Sequence, residues 1–283
     1  MRSILFRSVS TRINPFDSKE MAKHYDRPNS LYNGYIRHVT DLLKIKSPVE
    51  AALDIACGTG ISTHALKPIA KRIIGIDASE HMLAHAKQDP QIEYKRAAAE
   101  FLPFPDKSFD LVSICVAFHW VDQAKFLQQA ARVLRDNGHL VIFTTKYRGI
   151  DTPQYGDWLK NVFYKKYPLV AGQRDYLPEK NRSDDFLSSL DKHYSEFVDM
   201  DIKELAHLLM SLSGVFLAVE TRHEKREDIE KWLLQELNPF FAKHNKVSCR
   251  IDPSIWCLTR TLRLESTHSN AQSDNPGRLV CKL

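Results

Sequence analysis

Leu53-Asp54-Ile55-Ala56-Cys57-Gly58-Thr59-Gly60 ends an apolar run that starts at Ala51, sets an acid inside it, and finishes on two glycines ahead of a predicted helix. Gly58 and Gly60 allow a tight turn and a close backbone approach to a ligand, because glycine tolerates positive φ and carries no Cβ. A second apolar run ends at Asp77, 23 residues after Asp54. That is where the second strand of a βαβ unit should finish and where an acid can accept hydrogen bonds from ribose hydroxyls. The pair outlines a nucleoside site. A pyrophosphate does not suit it, since Ala56-Cys57-Gly58-Thr59-Gly60-Ile61-Ser62-Thr63 lacks the third glycine of the dinucleotide fingerprint.

The flanking pattern gives an α/β, Rossmann-like fold. Helix 61–66, strand 72–76, helix 79–87 and strand 92–95 alternate at short spacing, which implies a parallel sheet with right-handed crossovers. Strand 109–116 is continuously apolar, as a central strand covered on both faces must be. Helix 122–135 shows Phe126, Leu127, Ala130, Val133 and Leu134 on one face and leads through Asn137-Gly138 to strand 139–145. Upstream, Leu31, Tyr35, Ile36, Val39, Leu42 and Leu43 recur at helical spacing before Pro48, which predicts an N-terminal helical cap.

Beyond residue 150 the rhythm changes. Prolines at 153, 168 and 178, with Trp158, Phe163, Tyr164 and Tyr167, suggest a helical lid insertion over about 151–205. The stretch 224–231 carries mixed charge and leads into Trp232, Leu233, Leu237 and Phe240, a surface helix with one buried stripe. Segments 246–251 and 255–260, divided by Asp252-Pro253-Ser254, predict a C-terminal antiparallel hairpin that completes a seven-stranded, mostly parallel sheet. The expected layout is a flexible basic N-terminus over 1–15, one domain over 16–265 with its core at 50–146, and a polar disordered tail over 266–283.

Composition agrees with one globular domain. The chain has 283 residues and is 43% hydrophobic, and its 40 basic and 35 acidic side chains leave only +5, too little and too dispersed to argue for nucleic acid. Five cysteines, at 57, 115, 249, 257 and 281, form no C-x-x-C pair and fit free thiols rather than disulfides or metal ligands. No apolar run approaches the ~20 residues that span a bilayer, so no membrane partner is expected. A cytoplasmic location is the default. Arg2, Arg7 and Arg12 among serines resemble a mitochondrial leader, and Cys281-Lys282-Leu283 resembles a peroxisomal address.

Three blocks carry a family resemblance: Asp54 to Gly60, Gly75-Ile76-Asp77-Ala78-Ser79-Glu80-His81-Met82-Leu83, and Ala99-Glu100-Phe101-Leu102-Pro103-Phe104 continuing to Asp110. Together they resemble the class I methyltransferases that use S-adenosylmethionine. The resemblance covers roughly residues 15–262 and is strongest over 50–146. It implies S-adenosyl-L-methionine as cofactor and no metal. In that reading Asp54 holds the loop or the methionine amino group, Ala56, Cys57, Gly58, Thr59 and Gly60 line the cofactor with backbone, and Asp77 with Ala78 takes the ribose. Met82 packs on adenine, or serves the core. Ala98, Ala99 and Glu100 border the base, and Tyr25, Cys115 and Val116 complete the set. Two departures stand out: Ala56 where the family usually has glycine, and Ala98 where relatives often have an aspartate for the adenine amino group.

The acceptor is read from the end of the fourth strand. Cys115-Val116-Ala117-Phe118-His119-Trp120 lacks the Asn/Asp-Pro-Pro-Tyr/Phe motif of enzymes acting on nucleic-acid amino groups. Its A-F-H-W form resembles the branch containing trans-aconitate methyltransferase, which esterifies small carboxylates. Phe16-Asp17-Ser18-Lys19 with Tyr25-Asp26-Arg27-Pro28, and Met210-Ser211-Leu212-Ser213-Gly214, resemble two further elements of that branch. The expected activity is thus methyl transfer to a small molecule, with a carboxylate oxygen favoured. His119 is the candidate catalytic residue, as orienter or base, with a satisfied structural histidine the plainer reading. Arg27, Trp120, Ser211 and Ser213 are candidate acceptor contacts. The alternatives are methylation of a phenol or other non-carboxylate metabolite, and a binding module of the same fold without turnover. Oligomeric state is not legible.

Overall fold

The computed structural model describes residues 19–25, 34–169 and 185–261. The terminal address signals, Arg27, and the Phe16 and Pro28 ends of the N-terminal motif lie outside the described residues. Two short N-terminal helices, α1 (Lys19–His24) and α2 (Tyr35–Leu43), precede the alternating unit. It runs β1 (Val49–Ile55), α3 (Ile61–Ala65), β2 (Ala70–Asp77), α4 (Glu80–Ala84), β3 (Ile92–Arg96), β4 (Phe109–Cys115), α5 (Gln123–Val133) and β5 (Leu134–Ile150). The second half holds α6 (Pro153–Trp158), a π turn over Leu159–Phe163, α7 (Tyr164–Lys166), β6 (Phe186–His193), β7 (Glu196–Met200), α8 (Ile202–Met210), α9 (Ser213–Arg222), α10 (Arg226–Phe241) and β8 (Val247–Arg260).

One eight-stranded sheet runs in the order β3-β2-β1-β4-β5-β8-β6, with β7 also on β8. β1 to β5 pair in parallel, and β8 enters antiparallel to β5. β7 pairs with the first part of β8 and β6 with the last, so the two share one lane and the sheet is seven lanes wide.

Alternation along the strands splits the core between the two faces. Leu53, Ile55, Val112, Ile114, Leu140 and Ile142 meet Phe126, Ala130 and Val133 of α5 on one side. Ala52, Leu111, Val141 and Phe143 meet Tyr35 and Val39 of α2 and the buried stripes of α8 and α10 on the other. Each buried Val, Leu, Ile or Phe side chain among them contributes about 1.5 to 3 kcal/mol. Helix ends follow local chemistry: the Ser79 hydroxyl accepts the Met82 N–H to start α4, and Asp201 and Glu204 form a reciprocal capping box on α8.

The expected C-terminal hairpin is instead a single strand. β8 runs through Asp252-Pro253-Ser254 without turning, paired with β5 from His139 to Ile150. Proline is tolerated because of where the outer lane breaks. The Pro253 carbonyl accepts the Tyr194 N–H at 2.9 Å, and Tyr194 and Ser195 separate β6 from β7. The N–H that proline lacks therefore falls where no ladder bond is required. The outer antiparallel partners of β8, β6 and β7, come from residues 186–200, inside the stretch read as a helical lid. The aromatic helices of that stretch do form, but Tyr155, Trp158, Phe163 and Tyr167 are buried in the core, with Trp158 and Tyr155 packed on Phe240 of α10. Among the described residues, no single helix is long and apolar enough to cross a membrane.

Candidate functional site

The strand order reverses between β1 and β4, and a cavity of about 290 Å³ opens at the carboxyl ends of these strands. This is the place where open α/β sheets bind ligands. Both strands leave the sheet on a left-handed residue, Ala56 at φ 52° and Val116 at φ 53°. Such a conformation is uncommon for alanine and strained for a β-branched side chain. Backbone bonds hold the two turns in place: Cys57 N–H donates to Ile76 O at 2.9 Å, and Val116 N–H to Phe143 O at 2.7 Å.

Asp54 organises the floor. Fully buried, its Oδ2 accepts the Ser62 and Thr63 hydroxyls and its Oδ1 accepts Ser113, each at 2.7 Å. Burial pushes the carboxyl above its usual range, and the three hydroxyl donors partly offset that shift. The acid thereby ties β1 to α3 and β4. It stands behind the cavity wall rather than in it, so of the two roles read for it, the structure shows it holding the loop.

Asp77 faces the cavity from the end of β2. Its Oδ2 accepts the Gly58 N–H and its Oδ1 the Ser79 N–H, both at 2.8 Å. Ala56, Cys57, Gly58 and Thr59 of the loop, and Ala78 and Met82 beyond Asp77, also line the space. Ala98, Ala99 and Glu100 form a third side, where Glu100 Oε1 accepts the Asp122 N–H at 2.7 Å. Cys115, Val116 and Trp120 close a fourth. Tyr25 reaches the cavity from the end of α1, which is docked by Ala22 against Met82 and Phe216. Burial pushes the Cys57 thiol up, so Cys57 acts as a small neutral wall group.

Besides Asp54, four expected residues stand elsewhere. Gly60 (φ 86°) opens α3, with its N–H on Cys57 O and its surface covered by Tyr94. His119 sits in a 3-10 turn over Phe118–Trp120, its ring centroid 5.2 Å from that of Trp120, and is not among the lining residues. Ser211 is buried and donates its hydroxyl to Leu208 O at 2.7 Å, which spends its polarity on the end of α8. Ser213 is buried at the start of α9. Neither serine lines the cavity, nor does any described residue of 151–205. Arg27 lies outside the described residues.

Ile61, Ser62, Ala97, Ala117 and Val121 also line the cavity, although sequence reading passed over them. Each is within three positions of a recognised lining residue, and chain continuity was the available signal. Among the described lining residues the charged side chains are Asp77 and Glu100, both acidic, and no described cluster is arranged to hold a metal ion.

This donor set fits S-adenosylmethionine. An acid stands where a ribose diol would need acceptors, Met82 with Ala98 and Ala99 forms an apolar slot for a base, and the loop's left-handed turns present backbone to a polar chain. The carboxylates also suit a cationic sulfonium.

Known proteins resemble this chain in sequence and in fold. Residues 53–142 match the methyltransferase domain family. A Dictyostelium discoideum protein named for that family is 28% identical over 172 residues, 60% of this chain and 64% of that protein, which is short of two thirds of its length. A demethylmenaquinone methyltransferase from Clavibacter sepedonicus is 35% identical over 175 residues, 56% of this chain and 71% of that protein. A solved structure from Anaeromyxobacter dehalogenans, described as a type II methyltransferase, aligns with a TM-score of 0.57 at 19% identity, covering 83% of this chain and 96% of that one; it speaks to the fold alone. By the match to the family domain and the breadth of the Clavibacter alignment, this chain belongs to the class I S-adenosylmethionine-dependent methyltransferases.

Proposed function

We propose that this chain transfers the methyl group of S-adenosylmethionine to an uncharged small molecule with an apolar body. The observation that carries the methyltransferase reading is the cavity at the β1/β4 reversal, with Asp77 on its rim and the Ala56 and Val116 turns on either side. The cofactor supplies an electrophilic methyl on a sulfonium, so the protein's tasks are alignment and exclusion of water. Ala56 to Thr59 and Asp77 hold one side. Val116, Ala117, Trp120 and Val121 form the apolar side, which supports an acceptor bound through packing rather than ion pairing. The Clavibacter relative is named for a quinone-class acceptor, and a hydrophobic ring of that kind suits such a wall.

A carboxylate acceptor is the second reading, favoured by the A-F-H-W block and by Arg27. Among the described lining residues no cationic side chain would pair with an anion, a partner that Arg27 would have to supply.

The test has two stages. Calorimetry with S-adenosylhomocysteine should show binding in preference to NAD. Labelled S-adenosylmethionine is then offered with hydroquinols and phenols on one side and small di- and tricarboxylates on the other. Label in the phenolic products supports the first reading, and label in methyl esters replaces it with the second. Binding without transfer to any acceptor would favour a module that has kept the fold and lost turnover.

A further inference from the structure

The structure assigns Tyr94 on β3 as the positioning residue of the cofactor loop, an inference that rests on reading the cavity as the S-adenosylmethionine site. Tyr94 pairs in register with Gly75 of β2, and its ring lies across the backbone of two glycines. A Cβ added at Gly75 would stand 2.9 Å from ring carbons Cδ1 and Cε1 and 3.1 Å from Cys57 Sγ. A Cβ added at Gly60 would overlap the Tyr94 hydroxyl and lie 2.9 Å from Cζ. The ring therefore occupies the side-chain volume of a β2 residue and of the residue that opens α3.

This makes Tyr94 a wedge beneath the loop. Cys57, the other group that Gly75 accommodates, is itself a loop residue lining the cavity. Above the wedge, Thr63 is bound to Asp54 at 2.7 Å, so a shift of α3 would be passed to the Asp54 network. The Tyr94 hydroxyl is buried beside the Thr63 side chain without a well-aligned hydrogen bond, and burial raises its pKa. Its contribution is thus the shape of a neutral ring, not a proton or a charge. The distance from β2 to the loop is fixed by one aromatic thickness, and close packing leaves little room for another. Touching neither ligand nor reacting atoms, Tyr94 would act through the backbone of residues 57 to 60.

Binding of S-adenosylhomocysteine to the full chain, read by calorimetry beside urea unfolding, tests this. Tyr94→Phe keeps the ring and should bind within about threefold of wild type, whereas Tyr94→Leu and Gly75→Ala should each weaken binding by about tenfold or more while remaining folded. Because the two positions press on one another, Gly75→Ala/Tyr94→Leu should recover most of the lost affinity, a coupling that independent sites do not show. A merely structural role would lower the unfolding midpoint and leave the affinity of the folded chain unchanged. Wild-type affinity in either folded single variant, or strictly additive losses in the double variant, would overturn the assignment. Failure of the wild-type chain to bind S-adenosylhomocysteine would instead remove the reading of the cavity itself.

Discussion

Asp77 Oδ2 accepts the Gly58 N–H at 2.8 Å, so the end of β2 braces the middle of the loop that leaves β1. With Oδ1 on the Ser79 N–H, one carboxylate also fixes the approach to α4. A carboxylate oxygen has two acceptor directions, and the residue lines the cavity. It is therefore both a wall of the site and the clamp that shapes it.

Asp77→Ala should weaken S-adenosylhomocysteine binding by about 1.5 to 3 kcal/mol, the range for hydrogen bonds to a charged group. Asp77→Asn keeps one acceptor oxygen and should fall between the two. Calorimetry on folded proteins gives the answer, and unchanged affinity in the alanine variant would remove the ribose assignment.

Asp54→Ala should act on stability. Three buried hydroxyls, on Ser62, Thr63 and Ser113, would lose their shared acceptor, at a cost of about 3 kcal/mol or more, given ~1 to 3 for each buried group left unsatisfied. Ser113→Ala removes one donor and should cost about 1 to 2 kcal/mol on the same scale. Urea unfolding would separate them, and equal midpoints for the two variants would show that the network does not act as described.

Much of the site was legible because its chemistry sits at strand ends. Asp54, Gly58 and Asp77 are marked by acids and glycines placed where apolar runs stop, and the backbone follows from that pattern. Ser211 and Ser213 show the limit: a short resemblance carries residue type but not burial, and both residues are buried. Tyr94 was invisible for the opposite reason. An aromatic in a strand reads as ordinary packing, and only the register placing it beside Gly75 and beneath Gly60 gives it meaning. In β8, Asp252-Pro253-Ser254 has the composition of a turn, and only the gap between β6 and β7 explains why the strand continues.

Asp252 gives a pH prediction. Partial burial raises its carboxyl, but bonds from Arg148 Nε at 2.7 Å, Arg250 Nε at 2.9 Å and Ser195 Oγ at 3.0 Å outweigh that and hold it at about 2. An unfolded aspartate titrates near ~3.9. A pKa depressed on folding contributes stability that is fully present above the unfolded value and is lost as pH falls through the folded one. The loss should run from about pH 4 down to about pH 2. Both arginines are about half exposed, so Asp252→Asn should cost only about 1 kcal/mol at neutral pH. It should also flatten the acid limb of urea midpoints measured from pH 7 downward, and parallel limbs in wild type and variant would refute the linkage.

Val116 tests the strained turn. Glycine at a left-handed position relieves about 1 to 3 kcal/mol of backbone strain, while the lost side-chain burial and the freer unfolded chain take back a similar amount. Val116→Gly should therefore unfold within about 1 kcal/mol of wild type yet lose one wall of the cavity, raising KM for the acceptor. Val116→Ala keeps most of the strain and should be the less stable of the two. A glycine variant with unchanged KM would leave Val116 without a part in the site.

The pH dependence of the rate decides between acceptor chemistries, and His119→Asn tests whether the histidine takes part. Its ring packs beside Trp120 rather than on the cavity, so the geometry predicts that His119→Asn keeps kcat within about tenfold, whereas loss of a true general base costs about 100-fold to 10,000-fold. Trp120, which does line the cavity, should respond differently: Trp120→Ala removes apolar wall and should raise the acceptor KM more than it lowers kcat. A carboxylate acceptor is ionised well below pH 7 and needs no base, so its rate should be flat across neutral pH in both wild type and His119→Asn. A phenol-class acceptor should instead show a rate that rises with its own ionisation and persists in the variant. Both outcomes leave the histidine outside the chemistry. A wild-type profile rising with an apparent pKa near ~6.5, the ordinary value for histidine, and abolished in His119→Asn together with nearly all kcat, would show that the 3-10 turn swings the imidazole into the cavity during turnover and that His119 is the base.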